Sequence, residues 1–191
     1  MLPKFLVLLV VGALVALACG VDYSLSTHAW VQQRVSAESA EQKNTAQAVP
    51  DFSFEDIDQS RAQSLRDFAG SPVIINFWAT WCAPCVAELP MLIALADAQR
   101  DVKLLLISQD SSQKTIDDFL ERLRRNNPSL PALKTSPNIF VVWDENKRIS
   151  HNLFQTYKLP ETWIITPAQT LGKKIVGLAS ADDVRRALLQ K

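Results

Sequence analysis

Cys82 and Cys85 stand three positions apart in "NFWATWCAPCVAELP", Asn76 to Pro90, where an apolar run gives way to a helical pattern. Such a pair can be a redox couple, half of a metal site, or two small core residues. A structural zinc site needs four ligands, usually with a second cysteine or cysteine–histidine pair at a distance. None is present: the third cysteine is Cys19, and the two histidines, His28 and His151, each stand alone. Inert core residues fit poorly at a strand-to-helix junction, where a side chain tends to be exposed. Redox chemistry asks for a thiolate at a helix N-terminus and a second thiol one turn on, and both are supplied. Unpaired amides and the helix dipole stabilise negative charge there, lowering a thiol pKa below its usual value of about 8.5. Cys82 is then the nucleophile. Cys85, on the same face of the first turn, can reach back to attack a mixed disulfide. Pro84 is tolerated because first-turn amides have no intrahelical acceptor to lose.

The neighbouring elements must hold that junction. From Pro50, "PDFSFEDIDQSRAQSLRDFAGSPVIINFWATWC" alternates apolar residues, turns near Asp58 to Ser60, and enters the apolar run Val73 to Trp78 after Gly70. The pattern predicts a hairpin, a short helical turn and a buried strand. Val86, Leu89, Leu92, Ile93 and Leu95 then recur at helical spacing through about Arg100. The strand "VKLLLIS" follows, then a helix over 112–126 with Ile116, Phe119, Leu120 and Leu123 on one face, stopped by Asn127 and Pro128. Next come the strand "NIFVVW", a short helix around 150–156, the strands "TWIIT" and "KKIVGL", and a final helix over 181–190. Strands alternating with helices predict an α/β sandwich around a mostly buried sheet.

Twenty acidic residues balance 20 basic ones in 191. The balance leaves no electrostatic footprint for nucleic acid, and the length suits one core with additions. Three cysteines exclude a small disulfide scaffold. Residues 1–21 hold the uncharged run Phe5 to Val21 after a lone Lys4. As a helix it would measure about 25 Å, close to the roughly 30 Å of a hydrocarbon core. It reads as an uncleaved membrane anchor, a lipoprotein signal with lipidation at Cys19, or a cleaved signal peptide. Ala16 stands where the lipoprotein motif prefers leucine. All three readings export the rest of the chain. Residues 22–49, rich in Ser, Ala, Gln and Glu, read as a polar tether, and residues 50–191 as the folded domain.

"NFWATWCAPC" resembles the active-site strand and turn of thioredoxin-fold proteins. More narrowly, "PDFSFEDID", "NFWATWCAPCVAELP", "VVWDENKRISHNLFQTYKLPETWIITP" and "KKIVG" resemble the TlpA and ResA family, which includes the cytochrome c maturation reductases. The likeness covers residues 50–191. It implies a thioredoxin fold with an N-terminal β-hairpin extension and a central insertion, on the extracytoplasmic side of the cell membrane. It also implies thiol–disulfide exchange on exported proteins, fed by a membrane electron donor and needing no cofactor. Pro160 corresponds to the family's cis-proline, which presents the backbone of Leu159 to a substrate strand. Asn76 falls where cytosolic thioredoxins carry a buried aspartate, so Glu88 and Glu161 are candidates to tune the cysteines. Glu88 could otherwise serve the solvent face of its helix. Trp81 is expected to shield the thiols, while Trp78 could be core. An alternative from another class is a copper-binding assembly module, for which His151 would be the extra ligand. Peroxide reduction would need a peroxidatic cysteine in a different loop context, and no such motif is present.

Overall fold

The computed structural model of the protein describes residues 47–57 and 62–189. The run Phe5 to Val21, Cys19, most of the expected tether and the hairpin turn at 58–61 lie outside the described residues. No helix among the described residues is long and apolar enough to cross a membrane.

A short antiparallel hairpin, β1 (Ser53–Glu55) and β2 (Ala62–Ser64), leads through a helical turn, Leu65–Phe68, into β3 (Val73–Trp78). All six residues of β3 are buried, as "VIINFW" requires of a strand covered on both faces. α1 (Ala83–Ala98), β4 (Lys103–Ser108), α2 (Gln113–Asn126) and β5 (Ile139–Trp143) follow, then β6 (Glu161–Ile165), β7 (Leu171–Val176) and α3 (Ala181–Leu188). The main sheet has five strands in the order β5-β4-β3-β6-β7. β3 and β5 run parallel to β4, while β6 is antiparallel to both β3 and β7. This is the expected mixed α/β arrangement. The central stretch between β4 and β6 supplies the outer parallel strand.

Alternation along β3 divides the core into two layers. Ile74 and Trp78 face α1 and α3, packing with Leu89, Leu92, Ile93, Val184 and Ala187. Val73, Ile75 and Phe77 face the hairpin and the turn before β6, where Phe52, Phe54, Leu65, Phe68 and Phe154 gather. Phe154 is the hub of that aromatic layer. Its ring lies 5.6 Å from Phe52, 5.2 Å from Phe77 and 4.9 Å from Trp163. The hairpin thus supplies much of the cover on the sheet face opposite α1.

The caps follow local chemistry. Ser112 and Ser180 accept the Thr115 and Asp183 amides at the starts of α2 and α3, and Asn127 closes α2 by donating to the Leu123 carbonyl at 2.9 Å. Fully buried Asn138 donates to the Ala96 and Val102 carbonyls, both at 2.8 Å, tying the end of α1 to the loop before β4.

Two details differ from the sequence pattern. The short helix expected around 150–156 is a π-helical turn, Arg148–Leu153, whose start is held by the Asp144 carboxylate accepting the Ile149 and Ser150 amides. Residues 47–49, placed in the tether by composition, join the domain. Ala48 pairs with Thr170, and Leu171 donates to the Gln47 carbonyl at 2.8 Å. Val49 also packs against the aromatic layer, but one apolar residue beside backbone pairing is too little for composition to show.

Because Phe154 joins the hairpin to the sheet, Phe154→Ala should cost about 3–5 kcal/mol, the range for emptying a buried phenylalanine site. Urea unfolding of the full chain followed by tryptophan fluorescence measures this. A loss below about 1 kcal/mol would show that the layer does not pack as core.

Candidate active site

β3 ends at Trp78, and the turn Ala79–Thr80–Trp81 carries the chain to Cys82, the N-cap of α1. The turn is closed by the Cys82 amide donating to the Ala79 carbonyl at 3.1 Å. The Cys82 carbonyl accepts the first helical bond from Val86 at 3.0 Å, so the preceding amides have no intrahelical partner and face the N-terminal end. Cys82 and Cys85 are joined by a disulfide, with Cα atoms 5.3 Å apart. Cys85 is wholly buried and Cys82 is 7% exposed. Cys82 is therefore the more accessible of the two, though less exposed than its junction position suggests.

The β3–β6 register decides what lies beside the disulfide. Phe77 is opposite Glu161, so the loop ending at Pro160 arrives beside the end of β3. The Leu159–Pro160 peptide is cis, and the Pro160 carbonyl accepts the Gly177 amide at 2.9 Å. Trp81 is 68% exposed; it stands out beside Cys82 rather than packing down as a cover. Trp78 is wholly buried, its ring 5.4 Å from Phe119.

The two glutamates lie on opposite faces of the sheet. Glu88, only 2% exposed, points inward from α1, three residues after Cys85. It does not serve the helix's solvent face. Its Oε1 accepts the Asn76 side-chain amide at 2.8 Å, and its Oε2 accepts the Ala179 backbone amide at 2.7 Å. Asn76 also donates to Thr162 Oγ1 at 3.0 Å. Burial raises the Glu88 carboxyl above its ordinary value, and the hydrogen bonds from Ala179 and Asn76 offset only part of that. Glu161 shares the other face with Trp163. Its Oε1 accepts from Thr156 Oγ1 and, at 2.7 Å, from Trp163 Nε1, and lies 3.1 Å from Lys174 Nζ. Thr156 and Glu161 therefore bracket the loop that carries Pro160.

The sequence reading missed Thr162, Thr80 and Asp110. Asp110 accepts from both the amide and the hydroxyl of Thr80 in the cysteine turn. Its position just past the carboxyl end of a parallel strand beside β3 was the available signal, since α/β sheets place their chemistry at such ends. His151 lies in the π-helical turn, its ring 5.0 Å from Tyr157. Among the described residues, no three His, Cys, Asp or Glu side chains converge as a metal site would require.

A disulfide bridging the first turn of a helix, with one sulfur accessible beside a cis-proline loop, defines a thioredoxin-like thiol–disulfide oxidoreductase. Residues 45–174 match the AhpC/TSA family, and the chain belongs to it. It is 30% identical to the thiol-disulfide oxidoreductase ResA of Oceanobacillus iheyensis over 141 residues, covering 71% of this chain and 66% of that protein. It is 24% identical to ResA of Bacillus subtilis, covering 87% and 82% respectively. A crystal structure of a putative thiol:disulfide interchange protein DsbE from Chlorobium tepidum superposes with a TM-score of 0.61 at 20% identity, covering 74% of this chain and 93% of that one.

The raised Glu88 carboxyl makes a signed prediction. The folded state holds this proton more tightly than the unfolded chain, so the associated stabilisation is fully present below pH 4.5 and is lost as pH rises through the raised folded value. Relative to the native chain, Glu88→Gln should gain stability as pH rises above about 4.5, and the difference should level off once the native carboxyl is ionised. Urea unfolding of both proteins between pH 4 and 8 tests this, and a pH-independent difference would contradict a raised carboxyl.

Proposed function

We propose that the protein is an extracytoplasmic protein-disulfide reductase, held at the membrane by its N-terminal apolar segment, that reduces disulfides in exported proteins. Apocytochrome c is one candidate client. The observation that carries this is the asymmetry of the pair: Cys82 reaches solvent at the helix N-terminus, while Cys85 is wholly buried behind it.

In the reduced protein, the Cys82 thiolate attacks one sulfur of a client disulfide. That bond breaks, the client's other sulfur leaves as a thiolate and takes up a proton, and a mixed disulfide remains. The Cys85 thiolate then attacks Cys82, releasing the client's second thiol and leaving the Cys82–Cys85 disulfide. Two electrons pass to the client. A membrane dithiol donor returns two electrons and two protons for the next cycle.

The surroundings support a protein client. Trp81, Tyr157 and Leu178 are exposed large apolar residues: Trp81 precedes Cys82, Tyr157 lies three positions before Pro160, and Leu178 follows Gly177, whose amide donates to the Pro160 carbonyl. Exposed apolar side chains grouped at one site suit an unfolded chain, and the backbone at Leu159 can pair with an extended segment. Glu88, kept readily protonated by burial on the face it shares with Cys85, suits a store for the resolving thiol's proton. Glu161 acts at one remove, by seating the Pro160 loop.

Cys85→Ser should accumulate mixed disulfides with clients, because attack survives while resolution is lost. Cys82→Ser should accumulate none, since Cys85 is buried. Non-reducing gels of membranes carrying each variant, with identification of the trapped proteins, read this out. The reverse pattern would invert the assigned roles. Trapping by neither variant, with Cu(I) retained by the reduced protein through gel filtration, would favour the copper-binding alternative.

A further inference from the structure

Asp110 is a buried carboxylate for which the exchange chemistry has no use. It lies just beyond β4 and is 2% exposed. Both oxygens are turned on the cysteine turn or its support. Oδ2 accepts the Thr80 amide at 3.0 Å and Ser108 Oγ at 2.7 Å, and Oδ1 accepts Thr80 Oγ1 at 2.7 Å. The backbone is held as well: the Asp110 amide donates to Ser108 Oγ at 3.1 Å, and its carbonyl accepts Trp143 Nε1 at 2.9 Å. No cation forms an ion pair with this carboxylate among the described residues.

A single residue of the turn, Thr80, is thus gripped at two points by a buried group two positions before the attacking thiol. One hydrogen bond of 3.0 Å, at most two Cα steps of about 3.8 Å and the reach of the cysteine side chain put the carboxylate within about 15 Å of the Cys82 sulfur. A buried negative charge held on the turn, with protein rather than water around it, disfavours the thiolate modestly even beyond direct contact. The helix N-terminus has the opposite effect. The other charged or titrating groups around the turn are differently placed. Glu88 on α1 is bonded to Asn76 and Ala179, Lys158 is exposed in the loop before Pro160, and Glu161 faces the far side of the sheet beside Lys174. Of these, Asp110 alone is bonded to the turn.

We propose that Asp110 sets the acidity of Cys82, holding the thiol less acidic than the helix N-terminus alone would make it. The inference rests on Cys82 being the attacking thiol. Its consequence is kinetic: the nucleophilicity of a thiolate falls as its pKa falls, so a less acidic Cys82 is a stronger attacker once ionised.

The test uses the reduced full-length chain carrying Cys19→Ser and Cys85→Ser, so that only Cys82 reacts with iodoacetamide. Asp110→Asn keeps the shape of the site and can keep all three side-chain bonds, because an amide accepts from the Thr80 N–H and Ser108 and donates to the Thr80 hydroxyl. Its alkylation profile should shift to lower pH; because the more acidic thiolate is also the weaker nucleophile, the rate well below the parent midpoint should rise about two- to threefold while the high-pH plateau falls. Asp110→Ser, which also removes the charge but leaves room for water, should shift the same way and serves if the asparagine variant does not fold. Asp97→Asn, at the far end of α1, should not shift. Profiles for the Asp110 variants that coincide with the parent, or shift to higher pH, overturn the inference. So does a changed high-pH plateau with a fixed midpoint, which would mean that Asp110 only stiffens the turn. The underlying reading fails separately, if Cys82 in the folded parent is not alkylated or the native pair does not re-form its disulfide on oxidation.

Discussion

The site depends on the pairing of β3 with a strand on each side. As the central strand, β3 has both hydrogen-bonding edges occupied, by β4 in parallel and β6 in antiparallel register. Its direction and end point are therefore fixed by the ladders rather than by the turn that follows. Parallel pairing brings the end of β4, and with it Asp110, alongside the cysteine turn. Antiparallel pairing brings the start of β6, and with it Pro160. A one-residue slip in either register would turn Asn76 and Trp78 onto the aromatic face and put Phe77 under α1, exchanging polar and apolar partners along the strand. Burial of the whole strand makes such a slip costly, so the geometry around Cys82 inherits the precision of the core.

Around that end, buried polar groups are joined into small sets. Glu88, Asn76, Thr162 and the Ala179 amide link α1, β3, β6 and the approach to α3; Asp110, Thr80 and Ser108 link β4 to the turn. A carboxylate without an ionic partner survives burial only when hydrogen bonds replace its hydration. Both sets provide those bonds, and both sit within one or two residues of elements that hold a cysteine. One set is built around α1 and the other around the turn before it, so each ties down one side of the junction that carries the cysteines.

Much of this was legible in the sequence. The strand ending at the cysteines, the helix after them and the later alternation of strands and helices follow from apolar period and punctuation, because a sheet covered on both faces must be written in continuous apolar runs. The inward direction of Glu88 was not legible. A glutamate among helical apolar positions normally marks the wet side, and only the β3–α1 contact supplies its partner Asn76. Asp110 was hidden for a related reason. "SQD" after an apolar strand has the composition of an ordinary loop, and its importance lies in a tertiary neighbour 30 positions away. Residues 47–49 are joined by backbone pairing and by one apolar side chain, Val49, packed against the aromatic layer, and a single apolar residue makes no readable pattern.

The hairpin extension lies on the sheet face opposite the disulfide, yet a chain of contacts joins it to the loop that ends at Pro160. Phe52 packs edge-on against Phe154, and Phe154 edge-on against Trp163. The Trp163 indole donates to Glu161, which also accepts the Thr156 hydroxyl. Thr156 and Glu161 are the two posts between which residues 157–160 are strung. An edge-on aromatic contact fixes ring orientation as well as burying area, so the Trp163 Nε1–H is aimed by its packing, and the carboxylate that anchors the loop is aimed by that N–H. Lys174 on β7 offsets the charge this leaves in a mostly buried place, and its ammonium lies 4.7 Å from the Trp163 ring centroid. The aromatic layer therefore does more than cover the sheet. It supports, from behind, the loop that ends at the cis Leu159–Pro160 peptide and enters β6 opposite the end of β3.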